Sequence, residues 1–173
     1  GASGRLGQGD TTHRGDGANE MGDNLPAISL GTGRTASRIS AGNAHTCALL
    51  DNATVKCWGV NSSGHLGLGD TANRGDANNE MGDNLPAVNL GTGRTATSIT
   101  AGGSHTCARL DSATIKCWGW GGSGRLGLGD TANRGDANDQ MGDNLPAVNL
   151  GTGRTATSVS LSGGSGAHTC AIL

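Results

Sequence analysis

The chain has no phenylalanine and no tyrosine, and three tryptophans are its whole aromatic content in 173 residues. Proline occurs three times, and leucine, isoleucine and valine together supply 26 residues. A core of large aromatic rings is excluded, and so small an apolar share borders on that of disordered chains. Disorder also requires a high net charge, whereas 12 basic and 14 acidic residues leave −2 here. The same balance removes the electrostatic case for a nucleic acid or an anionic membrane as partner. No apolar run approaches the roughly 18 residues of a membrane span. The opening Gly1-Ala2-Ser3-Gly4-Arg5 lacks the apolar stretch of a signal peptide.

Glycine is abundant, at 33 residues. At a cost of about 1 kcal/mol per helical position relative to Ala, it argues against a helical bundle. Its placement is periodic. Gly-Arg-Leu-Gly-Gln-Gly-Asp at 4–10 returns in closely similar form at 64–70 and 124–130, in steps of 60 residues. Met-Gly-Asp-Asn-Leu-Pro-Ala at 21–27 returns at 81–87 and 141–147, and His-Thr-Cys at 45–47 returns at 105–107 and 168–170. The last step is 63 residues, because 161–166 lengthens one loop. Segments 64–90 and 124–150 differ at three of 27 positions: His65/Arg125, Asn79/Asp139 and Glu80/Gln140. One architecture is therefore copied, and the period suits a propeller blade or a large solenoid coil. The units run 1–60 (starting mid-unit), 61–120 and 121–173 (incomplete), in one continuous repeat domain.

Each unit carries a hairpin. In 46–58 two apolar-rich runs flank Asp51-Asn52-Ala53-Thr54, a turn-forming cluster. Symmetry about Asn52 sets Cys47 opposite Cys57 and Leu49 opposite Val55, all four on one face by period-2 alternation. A third short strand is expected around Ser37–Ser40 and Thr97–Thr100, and a fourth near Ala87–Leu90 after Pro86. From Gly69 to Leu85 the chain reads as an ordered loop of about 17 residues, longer than most.

Gly-x-x-His-Thr-Cys-Ala-Leu-Leu-Asp-x-x-x-Val-Lys-Cys-Trp-Gly-x-Asn-x-x-Gly-x-Leu-Gly-x-Gly-Asp, from Gly42 to Asp70, resembles the regulator-of-chromosome-condensation (RCC1-like) repeat. Gly102 to Asp130 matches again, with Arg109 in place of Leu and Gly121 in place of Asn. The Arg-Gly-Asp to Asp-Asn-Leu-Pro insert resembles a bacterial or extracellular-looking variant. The resemblance implies an all-β fold of β-propeller-type blades with short strands, usually seven blades of four strands, serving as a binding platform.

Closed propellers need about four blades or more, and this chain has fewer than three. Two readings stand: a fragment of a longer closed propeller, or copies joined head to tail into a ring or filament.

Cys47/Cys57 and Cys107/Cys117 face each other across their hairpins, where Cα atoms approach to about 4.5 Å, within disulfide range. Bonded pairs would place the chain outside the cell or at its surface; unbonded, they are small buried hydrophobes. Cys170 occupies the Cys47 position with no partner in the sequence, which fits a cut or intermolecularly completed unit. Cys-x9-Cys lacks zinc-site spacing.

The recurring His45, His105 and His168 are expected to be structural, bonded to neighbouring backbone. No Ser or Asp recurs beside them at triad spacing, so no catalytic residue is assigned and the chain reads as non-enzymatic. Trp58 and Trp118 are expected between blades. Trp120 stands where the previous unit has Val60 and is the candidate partner contact. Arg14-Gly15-Asp16 and its copies read as a turn with an internal ion pair. Asp70, Asp76, Glu80 and Asp83 are the candidate ligands if Ca²⁺ orders the long loop; no other cofactor is implied. Asn52 and Asn61 head N-glycosylation sequons. The function expected is non-catalytic binding or structure, with proteins as partners, other copies of the chain included. The alternative is a propeller fragment acting as an interaction platform or a guanine-nucleotide exchange factor.

Overall fold

The computed structural model describes residues 1–164 and 167–173. Ser165 and Gly166, part of the lengthened loop, lie outside the described residues. The strands are β1 (Ala36–Ala41), β2 (His45–Leu50), β3 (Val55–Gly59), β4 (Ala96–Ala101), β5 (His105–Leu110), β6 (Ile115–Gly119), β7 (Ser158–Leu161) and β8 (Thr169–Ile172). They form antiparallel sheets in the orders β1-β2-β3, β4-β5-β6 and β7-β8. The fold is all-β, and each sheet is one blade.

The hairpin register is the symmetric one, with Cys47 opposite Cys57, Leu49 opposite Val55, and Cys107 opposite Cys117. Local chemistry holds the turn. The Asn52 Oδ1 accepts the Thr54 hydroxyl at 2.8 Å, and the Ala53 N–H closes back on the Leu50 carbonyl at 3.0 Å. Ala53 and Ala113 both adopt left-handed backbone, at φ 62° and 61°.

The fourth strand expected near Ala87–Leu90 does not form. The Val88 N–H donates to the Val55 carbonyl at 2.8 Å, and Gly59 bridges to Arg74, so two short pieces of the next unit cover the outer edge of β3. Pro86 has no N–H to offer a ladder. Asn89 turns the chain away by accepting the Gly91 N–H through its own side chain at 3.0 Å.

The cores lie between blades. Cys47, Leu49, Val55 and Cys57 share one cluster with Ala108, Leu110 and Trp118 of the next blade. Cys107, Ile115 and Cys117 start the following cluster, while Ala48, Leu50 and Trp58 occupy the opposite face of the first blade. Period-2 alternation therefore gives each of the first two hairpins a disulfide face and a tryptophan face, and the Cys47–Cys57 disulfide meets the Trp118 indole of the next blade. At the junction of the first two blades one indole does the work that several rings do in an aromatic core.

The segment after each hairpin belongs to the next blade. The His65 carbonyl accepts both the Thr106 hydroxyl and the Trp118 Nε1–H, at 2.9 and 3.0 Å. Gly67 lies so close beneath this ring that a Cβ there would sit 2.7 Å from Trp118 Nε1. The Arg5 carbonyl does the same for Thr46 and Trp58. Trp118→Ala removes an indole at 0% exposure and is expected to cost about 3–5 kcal/mol. Trp120→Ala, at a 40% exposed ring, is expected to stay within about 0.5 kcal/mol. Denaturant midpoints of the two variants check the contrast.

Candidate functional site

Lys56 and Lys116 on the third strands are nearly buried, and burial lowers the pKa of both. Each ammonium donates across the blade junction. Lys56 Nζ reaches the Gly82 carbonyl at 2.7 Å; Lys116 Nζ reaches Leu90 and Gly142 carbonyls at 3.0 and 2.7 Å. Asp83 and Asp143 stand beside these lysines. Asp83 is held below the usual carboxylate range mainly by the Thr32 hydroxyl at 2.6 Å, then by the Thr32 N–H at 2.9 Å.

The other loop carboxylates are engaged individually. Asp70 accepts Arg74 at 2.6 Å and the Asn61 amide at 3.0 Å. Asp76 accepts the Asn73 amide at 3.2 Å, and Glu80 accepts the Asp76 and Ala77 N–H groups. The four proposed Ca²⁺ ligands thus point at separate protein donors, and among the described residues no group of three or more metal-ligating side chains converges. The Arg-Gly-Asp turn does carry an ion pair, but with the Asp four residues earlier: Arg14–Asp10, Arg74–Asp70 and Arg134–Asp130, at 2.6–2.7 Å. Its own Asp76 bonds to Asn73 instead.

His45 and His105 link blades, through a side chain and not the backbone expected, while His168 Nδ1 lies 3.3 Å from the Ser162 hydroxyl of its own unit. His45 Nε2 lies 2.9 Å from the Thr106 hydroxyl, and His105 Nε2 lies 2.9 Å from that of Thr169. Each threonine spends its proton on a carbonyl, that of His65 or Arg125. Each imidazole must therefore donate from Nε2, which leaves Nδ1 as a bare lone pair; among the described residues the buried Nδ1 atoms of His45 and His105 have no hydrogen-bond partner. Protonation would put a buried N–H where nothing accepts it. Burial, with His65 and His105 nearby, pushes His45 down to about 3, and burial with Arg125, His65 and His168 pushes His105 down to about 4. His65 packs against the His45 ring at 5.4 Å and is also lowered by burial. These Thr–His links join sites about 60 residues apart, so sequence spacing alone pointed to no partner.

Cys47–Cys57 and Cys107–Cys117 are disulfides with fully buried sulfurs, and Cys170 is a free, exposed thiol. Asn52 is exposed on its turn. Asn61 overturns the second sequon. It is 0% exposed, its amide donates to Asp70 and its Oδ1 accepts the Leu66 N–H, so a glycan has no room in the folded blade. Trp120 is 40% exposed, with the Arg125 guanidinium stacked 3.8 Å from the ring centroid. The preceding unit has Val60 and His65 at these places, so the pair changes together.

The sequence matches the description "Regulator of chromosome condensation (RCC1) repeat" over 36–64 and 96–125, and in a second form over 54–109. It is 32% identical over 133 residues to the ultraviolet-B receptor UVR8 of Arabidopsis thaliana, across 76% of this chain and 26% of the receptor. It is 33% identical over 101 residues to the probable E3 ubiquitin-protein ligase HERC3 of Homo sapiens, across 58% of this chain and 9% of the ligase. The chain thus spans about a quarter or less of these relatives. The solved structure of Prp20p from Saccharomyces cerevisiae, described with its binding to Gsp1p and histones, superposes at TM-score 0.56 and 16% identity. That match covers 93% of this chain and 36% of Prp20p. Human WBSCR16 superposes at 0.57 and 18% identity over 86% of this chain and 34% of that one. At these identities the superpositions show the fold.

Proposed function

The chain belongs to the regulator of chromosome condensation (RCC1) repeat family, and on that premise we propose that it is a non-catalytic, protein-binding propeller module built for an oxidising, extracytoplasmic setting. One observation carries this reading. The histidines of the closed blades and the loop carboxylates weighed as ligands are tied into blade–blade and loop contacts, while Trp120, a large hydrophobe, stays exposed. An aromatic ring stiffened by a stacked guanidinium is the kind of anchor that dominates protein interfaces. The two buried disulfides support the compartment.

The partner is another protein, and other copies of the chain fall within the same reading. Nucleotide exchange on a small GTPase would ask for one dedicated face. Apart from the Trp120–Arg125 pair, segments 64–90 and 124–150 offer little such asymmetry, differing only at Asn79/Asp139 and Glu80/Gln140.

The test is site-specific photo-crosslinking in the cell that produces the protein. A crosslinker at position 120 is expected to yield a discrete protein adduct, and one at position 94, on an exposed loop, is expected to yield none. Equal, diffuse labelling from both positions would defeat the assignment.

A further inference from the structure

The first strands of the three blades, β1, β4 and β7, are tied to one another across the blade boundaries. The Ala101 N–H donates to the Ser40 hydroxyl at 2.9 Å, and the Thr100 hydroxyl donates to the Val159 carbonyl at 3.3 Å. Along these strands opens a cavity of about 610 Å³ whose lining includes Arg38, Thr97, Ser98 and Arg109. Among the described residues no carboxylate lines it.

Both arginines break the repeat. Arg38 stands where the later units have Ser98 and Ser158, and Arg109 stands where the others have Leu49 and Ile172. Two single-copy departures, on different strands of different blades, thus meet in one cavity. Register brings them there. Arg38 pairs with Leu49, whose side chain packs toward the second blade, so Arg38 leaves β1 on that same side. Arg109 leaves β5 toward the third unit, where its Nε donates to the Ala156 carbonyl. Its Nη1 donates to the Thr97 hydroxyl at 2.7 Å, and that hydroxyl gives its own proton to the Arg109 carbonyl at 3.1 Å. The Arg109 guanidinium is therefore held in place, with Nη2 unengaged among the described residues. Positive charge is left uncompensated here. Arg14, Arg34, Arg74, Arg94 and Arg134 each pair with an aspartate, whereas Arg38 and Arg109 pair with none among the described residues. Within the same residues Arg38 and Ser98 make no side-chain hydrogen bond.

We propose that this cavity is a binding site for a small molecule carrying two linked phosphate-type groups, one for each guanidinium. The planar fork of an arginine presents paired N–H donors that match phosphate oxygens bidentately. The Ser98 hydroxyl supplies a further donor. The cavity is far roomier than one inorganic ion needs, and two separate forks ask for two acidic groups. Arg109 is preorganised by its bonds to Thr97 and Ala156, so less side-chain freedom is lost on binding. The site goes beyond the protein-binding reading above and does not depend on it.

The test is calorimetric titration of the protein with inorganic pyrophosphate at constant ionic strength. Saturable binding is expected, with Arg38→Ser and Arg109→Leu each weakening it at least about tenfold. These variants install the residues that sister units carry at the same places, and a thermal melt checks that they fold. Arg154→Ser, at an exposed arginine outside the cavity lining, is expected to bind as the unaltered protein does. No saturable binding, or an equal loss from all three variants, would overturn the site. Orthophosphate is expected to bind at least about tenfold more weakly than pyrophosphate, and equal affinity would overturn the two-group ligand. Uridine diphosphate, titrated alongside, separates a free from an esterified diphosphate; tighter binding of either one supports the site and names its source. If a variant does not fold, nuclear magnetic resonance of the unaltered protein decides. Pyrophosphate is expected to shift the Arg109 Nε–H and Ser98 amide signals, and unmoved signals would overturn the proposal.

Discussion

Reducing both disulfides is expected to destabilise the chain by about 5 kcal/mol. Each bond closes a hairpin across a separation of 10 residues, and constraining a loop of that size in the unfolded chain contributes about 2.5 kcal/mol. Total stabilities of about 5–15 kcal/mol make this a large fraction. The sulfurs are buried at the centre of the inter-blade clusters, so the thiols left behind keep their space and no cavity opens. The loss should appear mainly as a fall in melting temperature of about 10–20 °C for a chain this long, read by calorimetry with and without a phosphine reductant. Cys170→Ser, at an exposed thiol, should leave the melting temperature within a degree or two. Identical transitions for samples whose masses prove them oxidised and reduced would show that the tryptophan contacts alone hold the junctions.

Acid is expected to act next, and earlier than carboxylates allow. His45, His65 and His105 are each lowered from 6.5, to about 3 for His45 and about 4 for His105. Above 6.5 the rings are neutral in both states and pH has no leverage. Below 6.5 the unfolded chain binds protons that the folded chain refuses, so stability falls with pH until the folded values are reached. The slope is about 1 kcal/mol per pH unit for each ring withheld. The groups facing these rings are His65, Thr106 and His105 around His45, and Arg125, His168 and Thr169 around His105. No carboxylate is among them to reward protonation. Urea midpoints should drop clearly between pH 7 and pH 5, a window above the one in which Asp83, Asp130 and Asp143, all lowered from 3.8, lose their bonds. His65→Asn should flatten the slope by about a third. A midpoint that does not move across that window would mean the junctions admit the charged ring.

The hairpins were readable because their information is local. A turn cluster centred on Asn52 and strict alternation set the register, and that register decided which cysteines meet. The repeat period did the same for the number of blades. The element near Ala87–Leu90 failed for an equally local reason, Pro86 and the Asn89 side chain, but the competition between strand and turn is settled by the edge of β3 that it must cover. Asn61 shows the limit at a single residue. Its sequon is a surface signal in the sequence, yet the folded loop uses both ends of the amide internally.

Long-range partners were beyond the reach of pattern. Nothing adjacent to His45 says that its bond goes to Thr106, in the next blade, or that the hydroxyl's single proton goes to the His65 carbonyl and thereby sets the tautomer. Nor could composition show that the shortage of aromatic rings is met by packing the Cys47–Cys57 disulfide with the next blade's Trp118. Periodicity specifies each blade's two faces, since alternation along one strand is enough to separate cysteine from tryptophan. Which face meets which depends on how blades stack, a relation between residues some 60 positions apart.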